Sequence, residues 1–349
     1  MNNSALKGKN FFPEEKYMLR CLQLARCGQG RVSPNPMVGA VIVHRGKIIG
    51  EGYHQAYGAA HAEFNAIRSV QDETLLPESV LYVNLEPCSH YGKTPPCAGL
   101  IIEKKIPQVV VGMYDPNPQV GGQGIQMLQQ AGIQVYTGCM QEACEELNKR
   151  FLTFFQKKRP YIILKWAQSS DGFMDKMRVA GDGNEPVQFS SGITRMIMHK
   201  QRTEEDAILV GARTVLLDNP WLTVRLWKGR NPLRITIDPK GIIPPDSHIK
   251  DQSAPTWIWE PDGENGQENI VALLAGLYER KIQSLIVEGG AATLHHFIAA
   301  GLWDEAHVET CRFPLLSGIK APVVAGQVKQ MKSFNHSVVR ECKNEKMKE

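Results

Sequence analysis

Apolar runs of strand length alternate with amphipathic helical stretches along this chain, and the alternation breaks once, at Gln156-Lys157-Lys158-Arg159-Pro160. A chain patterned this way buries both faces of a sheet only by laying helices against them, which implies α/β architecture. Before the break, Met18, Cys21, Leu22 and Ala25 mark one face of a helix over 14–26, ended by Gly28. Runs 37–43 and 47–52 form a hairpin turning at Arg45-Gly46, and a short helix follows from His61. Strands over 80–85, 109–113 and 133–136 alternate with a helix opened by Pro95-Pro96-Cys97 and helices over 123–130 and 141–155. After the break the pattern restarts, with strands over 161–167, 207–210, 234–238, 256–259 and 284–287 and helices over 193–202, 269–279 and 291–300. Two domains are expected, 1–155 and 160–349, the first an αβα sandwich.

Length agrees, because 349 residues exceed the usual single domain. With 42% apolar and 22% charged residues the composition is that of a globular protein. The longest apolar runs, such as 37–43 and 161–164, fall far short of the roughly 20 residues of a membrane helix. Residues 1–10 are polar, carry lysine and lack an apolar export segment, so a cytoplasmic protein is expected. The net charge of +4 is spread along the chain with no long basic run, which argues against nucleic acid and is compatible with an anionic small substrate. Eight cysteines in so long a chain do not make a disulfide framework, and a local pair in a cytosolic protein is more often metal-binding or catalytic.

Cys88 and Cys97 are such a pair. His61-Ala62-Glu63, Glu86-Pro87-Cys88 and Pro96-Cys97 together offer one imidazole and two thiolates, a soft donor set suited to tetrahedral zinc. Three protein ligands leave a fourth position for water, whose pKa zinc lowers enough to supply hydroxide at neutral pH. Glu63, two residues from His61, is placed to carry that water's proton to a leaving group, and Cys97 at a helix N-terminus gains stabilisation of its thiolate. A lone His or Cys is ordinary packing, but the whole set in strand–helix context is much rarer.

The pattern resembles the zinc-dependent cytidine deaminase superfamily, in which water attacks an amino-bearing ring carbon. The cysteines there are usually closely spaced, whereas eight residues separate Cys88 from Cys97 here. That longer loop, Glu86-Pro87-Cys88-Ser89-His90-Tyr91-Gly92-Lys93-Thr94-Pro95-Pro96-Cys97, resembles the deaminase half of the bifunctional riboflavin-biosynthesis deaminase/reductases. Ser33-Pro34-Asn35-Pro36-Met37-Val38-Gly39, Gly50-Glu51-Gly52-Tyr53-His54 and Asp115-Pro116-Asn117-Pro118 extend the likeness over nearly the first 150 residues. It implies a diaminopyrimidinone substrate carrying a ribosylamino 5′-phosphate, held by Asn35 and His54 near one zinc per chain, with His90 and Lys93 on the loop above.

The second half has no Gly-x-Gly-x-x-Gly between strand and helix; Gly121-Gly122-Gln123-Gly124 reads as a turn in the first. Its marked segments are 165–172, 211–215, 218–225 and 287–290. Val287-Glu288-Gly289-Gly290 ends a strand and opens a helix, where backbone amides can receive phosphate. Arg202 and Arg225 offer planar forks for a substrate phosphate, and Lys165 is awkward to bury unless paired or used. Singly, each is explained as well by structure.

Over 161–318 these segments resemble the reductase half of the same family, which is similar to dihydrofolate reductase and uses NADPH to reduce the ribosyl group to a ribityl chain. The resemblance implies NADPH contacts from Ala167, Thr214, Asp218, Gly290, Ala291, Ala292 and Thr293. It implies substrate contacts from Arg202, Leu222, Arg225 and Glu288, Lys165 as a catalytic group near the reacting ribose, and a homo-oligomer, dimer or tetramer. Two departures stand out: Ser169-Ser170-Asp171-Gly172 replaces the family's Ser-Leu-Asp-Gly, and Gln188-Phe189-Ser190-Ser191 lacks a usual Trp, with Ser190 keeping a hydroxyl in place. That missing Trp is the main support for the alternative of a deaminase fused to a degenerate second half. A nucleic-acid deaminase would need a basic stripe with exposed aromatics, and a structural zinc protein would give Glu63 no purpose.

Overall fold

The computed structural model describes residues 11–89, 96–117, 121–181, 183–261 and 266–345. The chain divides into two compact units, Met1–Gln156 and Lys157–Glu349. In the first, α1 (Glu15–Arg26), β1 (Gly39–His44), β2 (Lys47–Tyr53), α2 (Ala62–Arg68), β3 (Ser79–Leu85), α3 (Cys97–Glu103), β4 (Gln108–Met113), α4 (Gln123–Gln130), β5 (Gln134–Thr137), α5 (Gln141–Leu147) and α6 (Lys149–Lys157) follow in order. The five strands lie in the order β2-β1-β3-β4-β5. β1 pairs antiparallel with β2 and β3, and β3, β4 and β5 are parallel. The hairpin turns where expected, with Arg45 and Gly46 both at positive φ.

Alternate residues of the buried strands feed two separate cores, as the strand period requires. Ala40 and Ile42 pack with Ala66, Ile101 and Leu128 of the helices on one face, while Val41 and Val43 pack with Met18, Cys21 and Cys144 on the other. This is the αβα sandwich expected. The helix expected over 141–155 is two helices instead, parted at Asn148. Asn148 is buried; its carboxamide accepts from the Met37 N–H at 2.8 Å and donates to the Met37 carbonyl at 3.0 Å. An asparagine drawn to backbone groups outside its own helix is a poor interior helical residue, and the chain breaks there.

The second unit contains β6 (Tyr161–Gln168), β7 (Phe173–Asp175), α7 (Gly192–Glu204), β8 (Ala207–Gly211), α8 (Ala212–Asp218), β9 (Leu233–Ile237), β10 (Thr256–Trp259), α9 (Gly266–Glu279), β11 (Ser284–Val287), α10 (Ala291–Ala299), β12 (Glu305–Cys311), β13 (Ile319–Lys320), β14 (Gln327–Ser333) and β15 (Ser337–Lys343). Its main sheet runs β10-β9-β8-β11-β6-β12-β15-β14. The first six are mutually parallel; β15 and β14 add antiparallel at one edge. Near-continuous apolar strands such as β6, β8 and β11 are what a parallel sheet covered on both faces needs. The unit opens on an anchor in the segment read as a charged break: buried Arg159 donates twice to Asp304, at 2.6 and 2.9 Å, and Asp304 also accepts the Ile162 N–H. β12, β14 and β15 were not foreseen. β14 is exposed at every residue and carries no apolar alternation to read.

Candidate active sites

In the first unit, β2 leads through Tyr53 to His54, and His61 caps the N-terminus of α2, which puts Glu63 in its first turn. β3 ends at Leu85, so Cys88 lies just beyond a central strand, and Cys97 opens α3. One donor atom each from His61, Cys88 and Cys97 lie within 4.8 Å of one another. His61 Nδ1 is 3.4 Å from each sulfur, and the Cys97 N–H points to Cys88 Sγ at 3.3 Å.

The electrostatics of this cluster ask for a cation. Glu63 is buried, and burial with the neighbouring Cys88 thiolate pushes its carboxyl up to about 7. Cys88 is held well below the ordinary thiol range by hydrogen bonds from Cys97 and His61, while Cys97, beside that thiolate, is driven up. With both sulfurs ionised as ligands, two thiolates and the Glu63 carboxyl would face one imidazole, and a divalent ion compensates that charge. The residues present therefore fit zinc.

His54 is buried, with its ring edge-on to His61 at 5.6 Å. Its Nδ1 lies 3.1 Å from the Ala60 carbonyl, which makes that nitrogen the donor. Nε2 is then the acceptor for the Asn35 amide at 3.1 Å, which fixes Asn35 beside the metal cluster with its own carbonyl oxygen left to accept. Burial lowers the His54 pKa and keeps the ring neutral. His90 and Lys93 lie outside the described residues.

In the second unit, a cavity of about 590 Å³ opens at the carboxyl ends of β6, β8 and β11. Every residue expected to contact NADPH lines it: Ala167, Thr214, Asp218, Gly290, Ala291, Ala292 and Thr293. Lys165 and Glu288 line it as well. Gly290 has φ 70, a conformation L side chains resist, and it turns the chain into the N-terminus of α10. Half-buried Lys165 directs its ammonium at the Met198 sulfur at 3.0 Å, a weak acceptor, and its charge also favours the ionised Glu288 carboxylate.

Of the substrate residues expected in this unit, Leu222, Arg225 and Arg202 do not line this cavity, and Arg202 is engaged within the fold. Its guanidinium is no open fork: it holds Glu288 at 2.7 and 3.3 Å and the Thr223 carbonyl at 3.1 Å, all in buried surroundings. An unpaired Glu288 carboxylate could not stay buried, so the fork is committed to it. Leu222 packs its side chain into the apolar cluster of Val215 and Ile243, which leaves only its backbone to offer. Arg225 is exposed and makes one side-chain hydrogen bond, to Thr223 Oγ1 at 3.2 Å. The Ser190 hydroxyl is given to Glu309 at 2.6 Å.

Two residues of this region were missed from sequence. Arg178, buried on the cavity wall, joins Asp175 to Asp218 and also reaches the Leu217 carbonyl. It sits in a segment without periodicity and carries no local signal. Phe189, beside the missing Trp, lines the cavity and stacks on Phe313 at 5.7 Å.

Comparison with known proteins places both units. Residues 13–113 match the cytidine and deoxycytidylate deaminase zinc-binding region, and residues 160–346, more than half of the chain, match the RibD C-terminal domain. The riboflavin biosynthesis protein RibD of Bacillus amyloliquefaciens is 40% identical over 93% of this chain and 91% of its own length. The Escherichia coli protein of that name is 38% identical over 84% and 86%. Among solved structures, a diaminohydroxyphosphoribosylaminopyrimidine deaminase/5-amino-6-(5-phosphoribosylamino)uracil reductase from Thermotoga maritima superposes with a TM-score of 0.84 at 35% identity, covering 95% of this chain and 98% of that one. The first unit is thus a zinc-binding deaminase domain and the second a reductase domain that uses NADPH. With both domains matched in one chain over nearly the whole length of its relatives, this protein belongs to the RibD family of bifunctional riboflavin-biosynthesis deaminase/reductases.

Proposed function

We propose that the substrate is 2,5-diamino-6-ribosylamino-4(3H)-pyrimidinone 5′-phosphate, deaminated within 1–155 and then reduced at its ribosyl group within 160–349. The Thermotoga maritima relative is named for these two activities, and one observation here carries them to particular residues: buried Glu63 stands beside a His61–Cys88–Cys97 donor cluster. Bound zinc supplies Lewis acidity that makes water nucleophilic at neutral pH, and bound NADPH supplies the hydride. Asn35 and His54 hold the pyrimidinone. Glu63 takes one proton of the attacking water to the ring nitrogen and passes the remaining hydroxyl proton to the departing amine, so ammonia leaves as the carbonyl forms. In the second unit, residues 290–293 hold cofactor phosphate on backbone amides, Thr214 and Asp218 flank them, and Ala167 leaves the floor open. Lys165 stands next to the ribose carbon that accepts hydride, where its ammonium supplies the balancing proton. Arg225 is the exposed cation that receives the substrate phosphate, and Arg202 and Glu288, paired with each other, meet the substrate together with Leu222.

Ammonia release and NADPH absorbance, followed together after adding this substrate, test the assignment. Both signals from the native chain, and neither from Glu63→Gln, are expected. Ammonia without NADPH loss would leave a lone deaminase with a repurposed second half and overturn the reductase assignments. The same reading carries a cytoplasmic enzyme that self-associates as a dimer or tetramer; sedimentation showing only a monomer would remove that part. Among the described residues no helix is long and apolar enough to cross a membrane.

A further inference from the structure

Glu86 follows the last residue of β3 and precedes Pro87-Cys88. Its carboxylate is buried and accepts four backbone N–H groups. Oε2 takes those of Asp115 at 3.2 Å and Gly122 at 2.9 Å; Oε1 takes those of Gly124 at 2.9 Å and Ile125 at 3.3 Å. These donors belong to the loop after β4 and to the first turn of α4, where amides have no partner within the helix and the dipole favours an anion. Glu86's own N–H donates to the Met113 carbonyl at 3.0 Å, which ties the end of β3 to the end of β4. Packing leaves no slack: a Cβ on Gly124 would lie 1.9 Å from the Pro87 carbonyl oxygen.

Cys88 is gripped from its other side as well. Its carbonyl accepts the Ala98 N–H at 3.1 Å and its sulfur the Cys97 N–H at 3.3 Å, both from the N-terminus of α3. The donor cysteine is therefore held between two helix N-termini, directly through α3 and through Glu86 on α4. A metal cluster of fixed geometry needs such support, because a ligand free to turn loses much of its affinity. No other described side chain between β3 and Cys88 reaches another element by charge.

We propose that Glu86 is the positioning residue of the metal centre. Its acceptor-only carboxylate locks Pro87-Cys88 onto α4, so that Cys88 Sγ stands within reach of His61 Nδ1 and Cys97 Sγ before metal arrives. The inference rests on His61, Cys88 and Cys97 being the zinc ligands. Glu86→Gln keeps the shape but puts an NH₂ group against amide donors, which turns two hydrogen bonds into repulsive contacts.

The metal-free full-length protein, titrated with zinc against a chromophoric chelator and with cobalt for its thiolate-to-metal absorption, gives a readout separate from turnover. Glu86→Gln is expected to weaken zinc binding by about 10–100-fold and to shift the cobalt bands, with NADPH binding unchanged. Glu86→Asp, which keeps the charge but retracts it by one methylene, should fall between, and it serves if Glu86→Gln does not fold. Leu128→Ala, a core truncation on the same helix, should lower the melting temperature and leave zinc affinity alone. Wild-type affinity and cobalt spectrum in both Glu86 variants, or loss of zinc in Leu128→Ala matching theirs, would overturn the proposal. A native chain that binds neither metal would overturn the ligand assignment beneath it, a distinguishable failure.

Discussion

Glu63 and His199 are both buried titratable groups, one beside the metal cluster of the first unit and one in the second unit, and they call for different tests. Replacing Glu63 by Gln removes a proton carrier and little volume. Ammonia release should drop by about 10²–10⁴-fold with zinc content intact, as read by a stopped assay and metal analysis. An unchanged rate would remove Glu63 from the reaction. His199 accepts the Arg225 N–H on Nδ1 at 3.1 Å, so its neutral form is the one the fold uses. Desolvation, then Arg202 and Arg225, lower its pKa to about 4. A histidine lowered in the fold below its ordinary value binds its proton more readily when unfolded. Its contribution to stability is therefore complete above about pH 6.5 and is lost as pH falls toward 4. His199→Gln should melt with a shallower pH dependence than the native chain in that window; parallel curves would refute the argument. The grouping of His61, Glu63, Cys88 and Cys97 was legible in the sequence because residue type and short spacing suffice to suggest it. His199 and Arg178 were not, because what each does depends on partners that only the fold brings together, such as Arg225 and Asp218.

At the scale of elements, the turn Gly121-Gly122-Gln123-Gly124 read as mere punctuation, yet two of its amides hold Glu86. The apolar strands were plain because burial on both faces leaves no polar residue to obscure them. β14 was hidden for the opposite reason, since an edge strand in solvent has no pattern to keep, and Asn148 broke a helix through a contact with distant Met37. β7 and α8 meet through Arg178, which joins Asp175 at 2.6 Å to Asp218; Asp175 in turn accepts the Val187 N–H at 3.1 Å. All four residues line the cavity. Removing the guanidinium leaves two carboxylates uncompensated on the wall of a site meant for a polyanionic cofactor. Arg178→Met should raise the NADPH Kd by about tenfold or more in a fluorescence titration while zinc binding stays native. Native NADPH affinity in this variant would show that the ion pairs serve only the fold.

Among the described residues, each buried apolar cluster draws its members from one unit alone. Two clusters lie within residues 11–152 and two within 162–342. Each unit thus holds its own core against unfolding, and each binds its own cofactor. A ligand stabilises the state that binds it in proportion to occupancy, so zinc should support the first unit and NADPH the second. Hydrogen exchange by segment separates the two effects. Chelation should raise exchange in β3, α3 and α4, where Cys88, Cys97 and the amides around Glu86 lie, and leave β6, β8 and β11 protected. NADPH added to the chelated protein should still slow exchange at the start of α10 and around Thr214. If chelation instead abolished that NADPH-dependent protection, the second unit would depend on metal in the first, and two self-sufficient cores would be the wrong account of how this chain is held together.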